Sequence, residues 1–479
     1  MRLLLQQGWG MMALDSELLE LGIGSGVILS PRVSTPEQSE RHSGEIRDRG
    51  GAVLFDPQFY LPRTEHARIL EFPYWDGLQF DTDTFDEHRA ADFCRRVIDY
   101  ERDVLEVDEI ILPGSYTNAA DERWRIWQAS FAEAGSEHCP DRTLYSTLAV
   151  GPDVVKNRHQ MDTLLAEALN YPVGGIYVLL RPPNDSFLIA DEDYLYAVLD
   201  GLLSFREAGK RVIIGYANQQ VLLLGAVGVE DIASGNFRNV RSFNPEIFDV
   251  QPEDDRQRAL WYYDAGTLSE FRIPTIQLAY RRGIRDFFGP ACQYCSTLLG
   301  ADDPSLVNWA EPDAFRHFLF ELNRQWLAMG TVAPNVRLEH VRSTFSTAQA
   351  RLQTLRSRGV LLGDRSFDPY FDPCLAALEA IRSDREMKCH YKHYSPLLVN
   401  TRADRFDSDV DRVLDVCLAQ LYRPGEAKGK KRRWRHPHRY GHRRLRRCSA
   451  PTGYGRRLRG WRRTSSTRCA SRCLRGICM

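Results

Sequence analysis

No run of about 18 consecutive apolar residues occurs in the 479-residue chain, so no helix written in it is expected to cross a membrane. The apolar opening Met1-Arg2-Leu3-Leu4-Leu5 is too short for a secretory leader and is broken by Gln6-Gln7. The first ten residues therefore read as a dispensable lead-in, with Met11 or Met12 as an alternative start. Phosphate-binding and metalloprotease signatures are missing too: there is no Walker A loop, no HExxH and no three-cysteine cluster of the radical iron–sulfur kind. Gly22-Ile23-Gly24-Ser25-Gly26 precedes its strand instead of following it, so it does not read as a dinucleotide turn. The cysteine spacing gives no disulfide framework for a chain of this length. Reduced thiols and a cytoplasmic setting are expected.

Net charge is also nearly absent, at −1, but it is unevenly spread. Residues 421–479 hold 20 Lys/Arg and one acid, Glu426, which leaves residues 1–420 at −20. An acidic body argues against a general nucleic-acid binder. The segment 423–479 is rich in Arg, Cys, Trp, Gly and Ser without apolar periodicity. It reads as a basic arm, as disordered chain, or as an out-of-frame end of a GC-rich gene, and no function is assigned to it.

What the chain does have is alternation. Short apolar runs at 27–30, 52–56, 77–81, 109–112, 144–150, 174–180, 211–216 and 229–233 are each followed by a polar loop. Helical patterns follow at 86–106, 121–134, 153–170 and 191–208, and Ser34-Thr35-Pro36-Glu37 reads as a helix start. Strand–helix units in this order imply parallel pairing with right-handed crossovers. An open doubly wound sheet fits as well, but the count of eight favours a (β/α)8 TIM-type barrel over 27–245. A lead-in (1–26) precedes it, and a mainly helical C-terminal region (246–422) follows, with helices at 254–270, 311–329, 345–358, 372–384 and 406–422.

Barrels of this kind build their sites from the C-terminal ends of the strands. That rule selects Asp56 first, as a carboxylate suited to act as base or nucleophile, and Asp81 as a second carboxylate beside Asp83. Arg181 is a candidate anion clamp. Arg32, Asp83, Gln58, Tyr60, Tyr216 and Asn218 are candidate substrate contacts. Each also has a structural reading, as a helix cap, a loop brace or a surface ion pair. The spacing Cys292-x-x-Cys295 lets two thiolates reach one zinc ion. The remaining ligands would come from His317, Cys374 or the Cys389-His390-x-x-His393 group.

Three stretches resemble the tRNA-guanine transglycosylase family, which includes relatives that insert deazaguanine bases into DNA. They are Asp56-Pro57-Gln58-Phe59, Leu148-Ala149-Val150-Gly151, and Cys292-x-x-Cys295 with His317 downstream. The resemblance implies a zinc-containing barrel that exchanges a nucleobase in tRNA or DNA, a pentosyltransferase, with Asp56 in the place of a family aspartate and Cys292, Cys295 and His317 on zinc. The chain departs from the family in lacking its third zinc cysteine. The aspartate that the family carries at its eighth strand is also unmatched, since Asp231 lies within Val229-Glu230-Asp231-Ile232. The alternatives are a hydrolase or lyase acting on a small anion, and a non-catalytic sensor barrel, homo-oligomeric or working with partner proteins in a modification or defence system.

Overall fold

The computed structural model describes residues 1–61, 66–75, 85–249, 260–288 and 292–398, with side chains as far as residue 385. The first strand is β1 (Arg2–Gln6), and it corrects the reading of the first ten residues as dispensable and of the lead-in as lying outside the barrel. Leu3, Leu4 and Leu5 are fully buried. An apolar run too short for a leader is the right length for a strand covered on both faces. The ring continues with β2 (Gly26–Leu29), β3 (Ala52–Phe55), β4 (Glu109–Ile111), the two-residue β5 (Tyr116–Thr117), β6 (Thr143–Val150), β7 (Gly175–Leu180), β8 (Arg211–Ile214) and β9 (Asp231–Ser234).

All ladders in this sheet are parallel, in the order β3-β2-β1-β9-β8-β7-β6-β4, with β5 added to the end of β6. The first strand pairs with the last, Leu4 opposite Ala233, and that pairing curls the sheet into a barrel. The expected strand 77–81, and with it Asp81 and Asp83, lies outside the described residues. Eight barrel strands are present without it, because β1 supplies the missing one.

Helices occupy the crossovers. They are α1 (Met12–Glu20), α2 (Pro36–Asp48), α3 (Glu87–Asp99), α4 (Glu122–His138), α5 (Arg158–Ala168) and α6 (Glu192–Glu207). Thr35 caps α2 in a reciprocal box with Gln38, with Pro36 in the first turn, as the sequence pattern demands. α3 runs on into a single π turn at Tyr100–Val104. Beyond β9 lie α7 (Ile273–Arg281), α8 (Glu311–Gly330), α9 (Arg337–Ser357) and α10 (Phe371–Leu398), so the C-terminal region is mainly helical. α8 packs back on the barrel, where Trp326 Nε1 donates to the Glu230 carbonyl at 3.2 Å.

The helix expected over 254–270 is instead a hairpin from residue 261 onward: β10 (Trp261–Asp264) pairs antiparallel with β11 (Ser269–Arg272). Trp261, Tyr262 and Tyr263 favour an extended chain, and Leu268 takes a left-handed conformation in the turn. The helix expected at 345–358 starts earlier, at Arg337, and the one at 406–422 lies outside the described residues. No described helix is long and apolar enough to cross a membrane.

The floor of the barrel, at the N-terminal ends of the strands, is ionic. Arg2 donates to Asp231 (2.7 Å) and Glu109 (2.7 Å), Arg211 donates to Asp231 (2.9 Å), and the Tyr145 hydroxyl donates to Glu109 (2.8 Å). Asp231 therefore belongs to the floor, opposite the strand ends where a TIM barrel does chemistry.

Candidate active site and cysteine–histidine cluster

Asp56 follows β3 at the C-terminal mouth of the barrel and is about 1% exposed. Its carboxylate gathers four donors. Oδ2 accepts from the hydroxyls of Tyr60 (2.5 Å), Tyr177 (3.2 Å) and Tyr216 (3.4 Å), and Oδ1 accepts from the Gln58 backbone N–H (3.0 Å). Burial raises the carboxyl, and these hydrogen bonds oppose the rise, leaving it pushed up to about 6. Burial, aided by the Asp56 charge, drives all three tyrosines well above their ordinary range, so they remain protonated donors.

The tyrosines come from three strands. Tyr60 follows β3, Tyr177 sits within β7 and Tyr216 follows β8. Gly215 makes room for the Tyr177 ring, since a Cβ there would lie 2.6 Å from its hydroxyl. Gln58 and Tyr216 both hold left-handed φ angles, 56° and 54°. Such non-glycine positions persist where surrounding contacts over-determine them. Here Gln58 Nε2 donates to Ser30 Oγ (2.6 Å) and Tyr216 Oη (3.3 Å), while its Oε1 accepts from the Arg32 N–H (3.2 Å). Tyr177 also donates to Gln6 Oε1 (3.2 Å).

Phe243 and Phe248, from the segment after β9, close over this network. They meet Tyr60 at ring-centroid distances of 5.1 and 4.8 Å and Tyr216 at 5.5 and 6.1 Å. The Arg32 guanidinium sits 5.4 Å from the Phe248 ring. It is buried, burial lowers its pKa, and its Nε has no hydrogen-bond partner. Among the described residues no carboxylate pairs with it.

The structure thus brings Arg32, Asp56, Gln58, Tyr60 and Tyr216 together, and places two candidates elsewhere. Arg181 is held by Asp185 (2.8 Å) and Glu246 (2.7 Å) in an ion-pair cluster on the rim. Asn218 braces its own loop, accepting from the Gln220 N–H (2.9 Å) and donating to the Phe187 carbonyl (2.7 Å). Sequence reasoning missed Tyr177, Gln6, Ser30, Phe243 and Phe248. A polar-tipped tyrosine in the apolar run Gly175-Ile176-Tyr177-Val178 was the available signal for the first.

A second cluster forms beyond the barrel strands. Cys292 Sγ lies 3.6 Å from Cys295 Sγ and 3.0 Å from His317 Nδ1. His317, near the start of α8, directs Nε2 to the Tyr263 carbonyl at 2.6 Å and stacks on Tyr262 at 4.8 Å. That bond fixes the ring so that Nδ1 faces the thiols. The Cys292–Cys295 hydrogen bond pushes the Cys292 thiol up and the Cys295 thiol down, the latter helped by His317.

Two thiolates on a tetrahedral zinc ion would sit about 3.8 Å apart, given Zn–S bonds of about 2.3 Å. The observed sulfur separation, the soft donor set and the oriented imidazole fit such an ion with three protein ligands. Cys374 is not a fourth: it is buried and accepts from Gln220 Nε2 at 3.3 Å. The side chains of Cys389, His390 and His393 lie outside the described residues.

No family model matches the chain, and no curated protein matches it in sequence. Among solved structures, the chain is similar to a GH10 xylanase from Thermobacillus composti, at 10% identity and a TM-score of 0.32 over 48% of this chain and 82% of that one. It is also similar to native xylanase 10B from Thermotoga maritima, at 11% and 0.33 over 49% and 83%. A third is the carboxyl transferase domain of Rhizobium etli pyruvate carboxylase, at 10% and 0.31 over 80% and 60%. The barrel itself is defined by the parallel ladders and strand order described above.

Proposed function

We propose that the barrel is an enzyme acting on a nucleobase or nucleoside, with base exchange in nucleic acid as its reaction class and Asp56 as the proton-transferring or nucleophilic carboxylate. One observation carries the reading: a buried carboxylate at a strand end, held by three tyrosines, with its pKa lifted to about 6. A group that titrates near neutral pH can both take and return a proton. The tyrosines fix its orientation and would stabilise it as an anion while bonds to the sugar or base change. Gln58 and Tyr216 stand beside it; the Gln58 amide is held by Ser30, Tyr216 and Arg32, so the pair would shape the pocket wall and hold the carboxylate's surroundings. Phe243 and Phe248 exclude water from the carboxylate, so substrate entry requires the segment that carries them to move.

Cys292, Cys295 and His317 would hold zinc, which when bound would supply a structural cross-link between the 292–295 turn and α8. The buried Arg32 guanidinium favours a second reading, in which the same mouth takes a small anionic substrate for hydrolysis or elimination.

The test is nucleoside mass spectrometry on DNA and RNA from cells carrying the full chain or Asp56→Asn. A modified base that appears or disappears with the wild-type chain alone supports base chemistry. Unchanged nucleosides, with folded protein and its neighbouring genes present, would turn the assignment toward the small anion.

A further inference from the structure

A cleft of about 290 Å3 opens beside the barrel mouth, lined by Gln7, Gly8, Trp9, Gly10 and Met12 at the end of β1 and the start of α1, and by Val33, Gln38 and Arg68. None of the site residues discussed above lines it. Its walls have three distinct chemistries. Trp9 is 55% exposed, unusual for so large an apolar ring, and the Arg68 guanidinium lies 5.8 Å from that ring's centroid. Among the described residues no carboxylate pairs with Arg68. Gln7 is about 1% exposed; its Oε1 accepts from the Ser30 N–H at 2.8 Å, but its Nε2 has no partner. A buried amide donor left unsatisfied costs stability unless something else accepts from it.

The backbone is shaped for an open ledge. Gly10 holds φ +69°, where a side chain is strained, and a Cβ on Gly8 would meet Asn236 Oδ1 at 2.5 Å. Arg32 and Arg68 both lower the pKa of the neighbouring His66, after burial, which is the larger cause. The volume lies near the lower end of the roughly 300–1,000 Å3 of small-molecule clefts.

We infer that this cleft is a nucleotide-binding subsite separate from Asp56: a base stacks on Trp9, a ring or carbonyl acceptor takes the Gln7 Nε2 donor, and a phosphate pairs with Arg68. Stacking on an exposed aromatic ring, with an arginine beside it, is the usual means of holding an unpaired base. The nucleotide can be free or part of a strand. Gln7 also connects the cleft to the barrel centre, since Ser30, which donates its N–H to Gln7, accepts from Gln58, whose N–H binds Asp56. The subsite does not depend on base exchange at Asp56.

The experiment is isothermal titration of the full chain with adenosine 5′-monophosphate, adenosine, inorganic phosphate and a short oligo(dA). Saturable binding of the monophosphate is expected, weaker binding of adenosine, and none of phosphate alone. Trp9→Ala and Arg68→Ala should each weaken binding by at least about fivefold, and Asp56→Asn should leave it unchanged. Tighter binding of oligo(dA) than of the monophosphate would assign the site to a strand; equal or weaker binding would assign it to the free nucleotide. No saturation by about 5 mM monophosphate or oligonucleotide, or equal binding by wild type and both cleft variants, would overturn the subsite. Loss of binding in Asp56→Asn with the cleft variants unaffected would place the nucleotide at the barrel mouth instead.

Discussion

Arg2 and Asp231 join the two ends of the barrel's chain order. Arg2 opens the first strand, Asp231 opens the last, and two hydrogen bonds connect them, Nε to Oδ1 at 3.1 Å and Nη2 to Oδ2 at 2.7 Å. Asp231 is nearly inaccessible and Glu109 largely so, and Arg2 shares their charge compensation with Arg211, which lies 2.9 Å from Asp231 and 3.5 Å from Glu109. Removing residues 1–10 deletes a central strand as well as this cation, and the truncated chain should fail to fold. Arg2→Met should keep the strand and lose about 3 kcal/mol, because it leaves buried carboxylates short of a partner. Urea unfolding followed by circular dichroism checks both. A truncated chain that unfolds cooperatively like the wild type would refute the role of β1.

Asp56 makes the wild type lose stability as pH rises. Its pKa is about 6 in the folded chain against an ordinary 3.8, so between those values the folded state binds more protons than the unfolded one. The contribution is fully present below about pH 4 and lost above about pH 6, a swing of about 3 kcal/mol. Asp56→Asn has no such titration. The stability of the variant relative to wild type should therefore rise across that window. Denaturation curves for both proteins at pH ~4 and ~7 measure the swing, and parallel behaviour would show that the carboxylate is not desolvated.

Tyr177→Phe removes one donor from Asp56 and the one that satisfies Gln6 Oε1. The carboxylate loses anion stabilisation, so the midpoint of the pH-dependent difference from Asp56→Asn should move upward. Overall stability should fall by about 1–2 kcal/mol. An unmoved midpoint would mean that the 3.2 Å contact does not bear on the charge.

Elemental analysis of purified chain should find close to one zinc per molecule, and His317→Ala should lower that content. Chelation should depress the unfolding temperature of the wild type and leave Cys292→Ser/Cys295→Ser unaffected. Zinc-free wild type with native stability would show that the hydrogen bonds among Cys292, Cys295 and His317 suffice by themselves.

The barrel was legible in the sequence because buried parallel strands write themselves as apolar runs. Seven of the eight runs read from sequence coincide with barrel strands, and Asp56, Gln58, Tyr60, Tyr216 and Arg32 follow directly from the strand-end rule. β1 was misread because Leu3-Leu4-Leu5 next to the chain start looks like a lead-in when no partner strand is in view. The hairpin at Trp261 was misread because aromatic runs fit a helix face and a strand equally well at short length. Tyr177 joins the site only through the inward face of a strand, and Phe243 and Phe248 only through a long return of the chain. Neither relation has a local signature. Arg181 shows the converse: its position after β7 marks a site residue by rule, but Asp185 and Glu246 occupy it.

The left-handed backbone at Gln58 and Tyr216 ties the barrel's stored strain to its site geometry. Glycine at either position would relax a conformation that costs on the order of 1–3 kcal/mol, but it would also remove the buried Gln58 amide from its partners, or leave a cavity where the Tyr216 ring packs against Phe243 and Phe248, at a cost of about the same size or larger. The usual gain from placing glycine at a strained position is therefore cancelled at these two. At residues 58 and 216, what the barrel needs in order to exist and what the carboxylate needs around it are the same contacts.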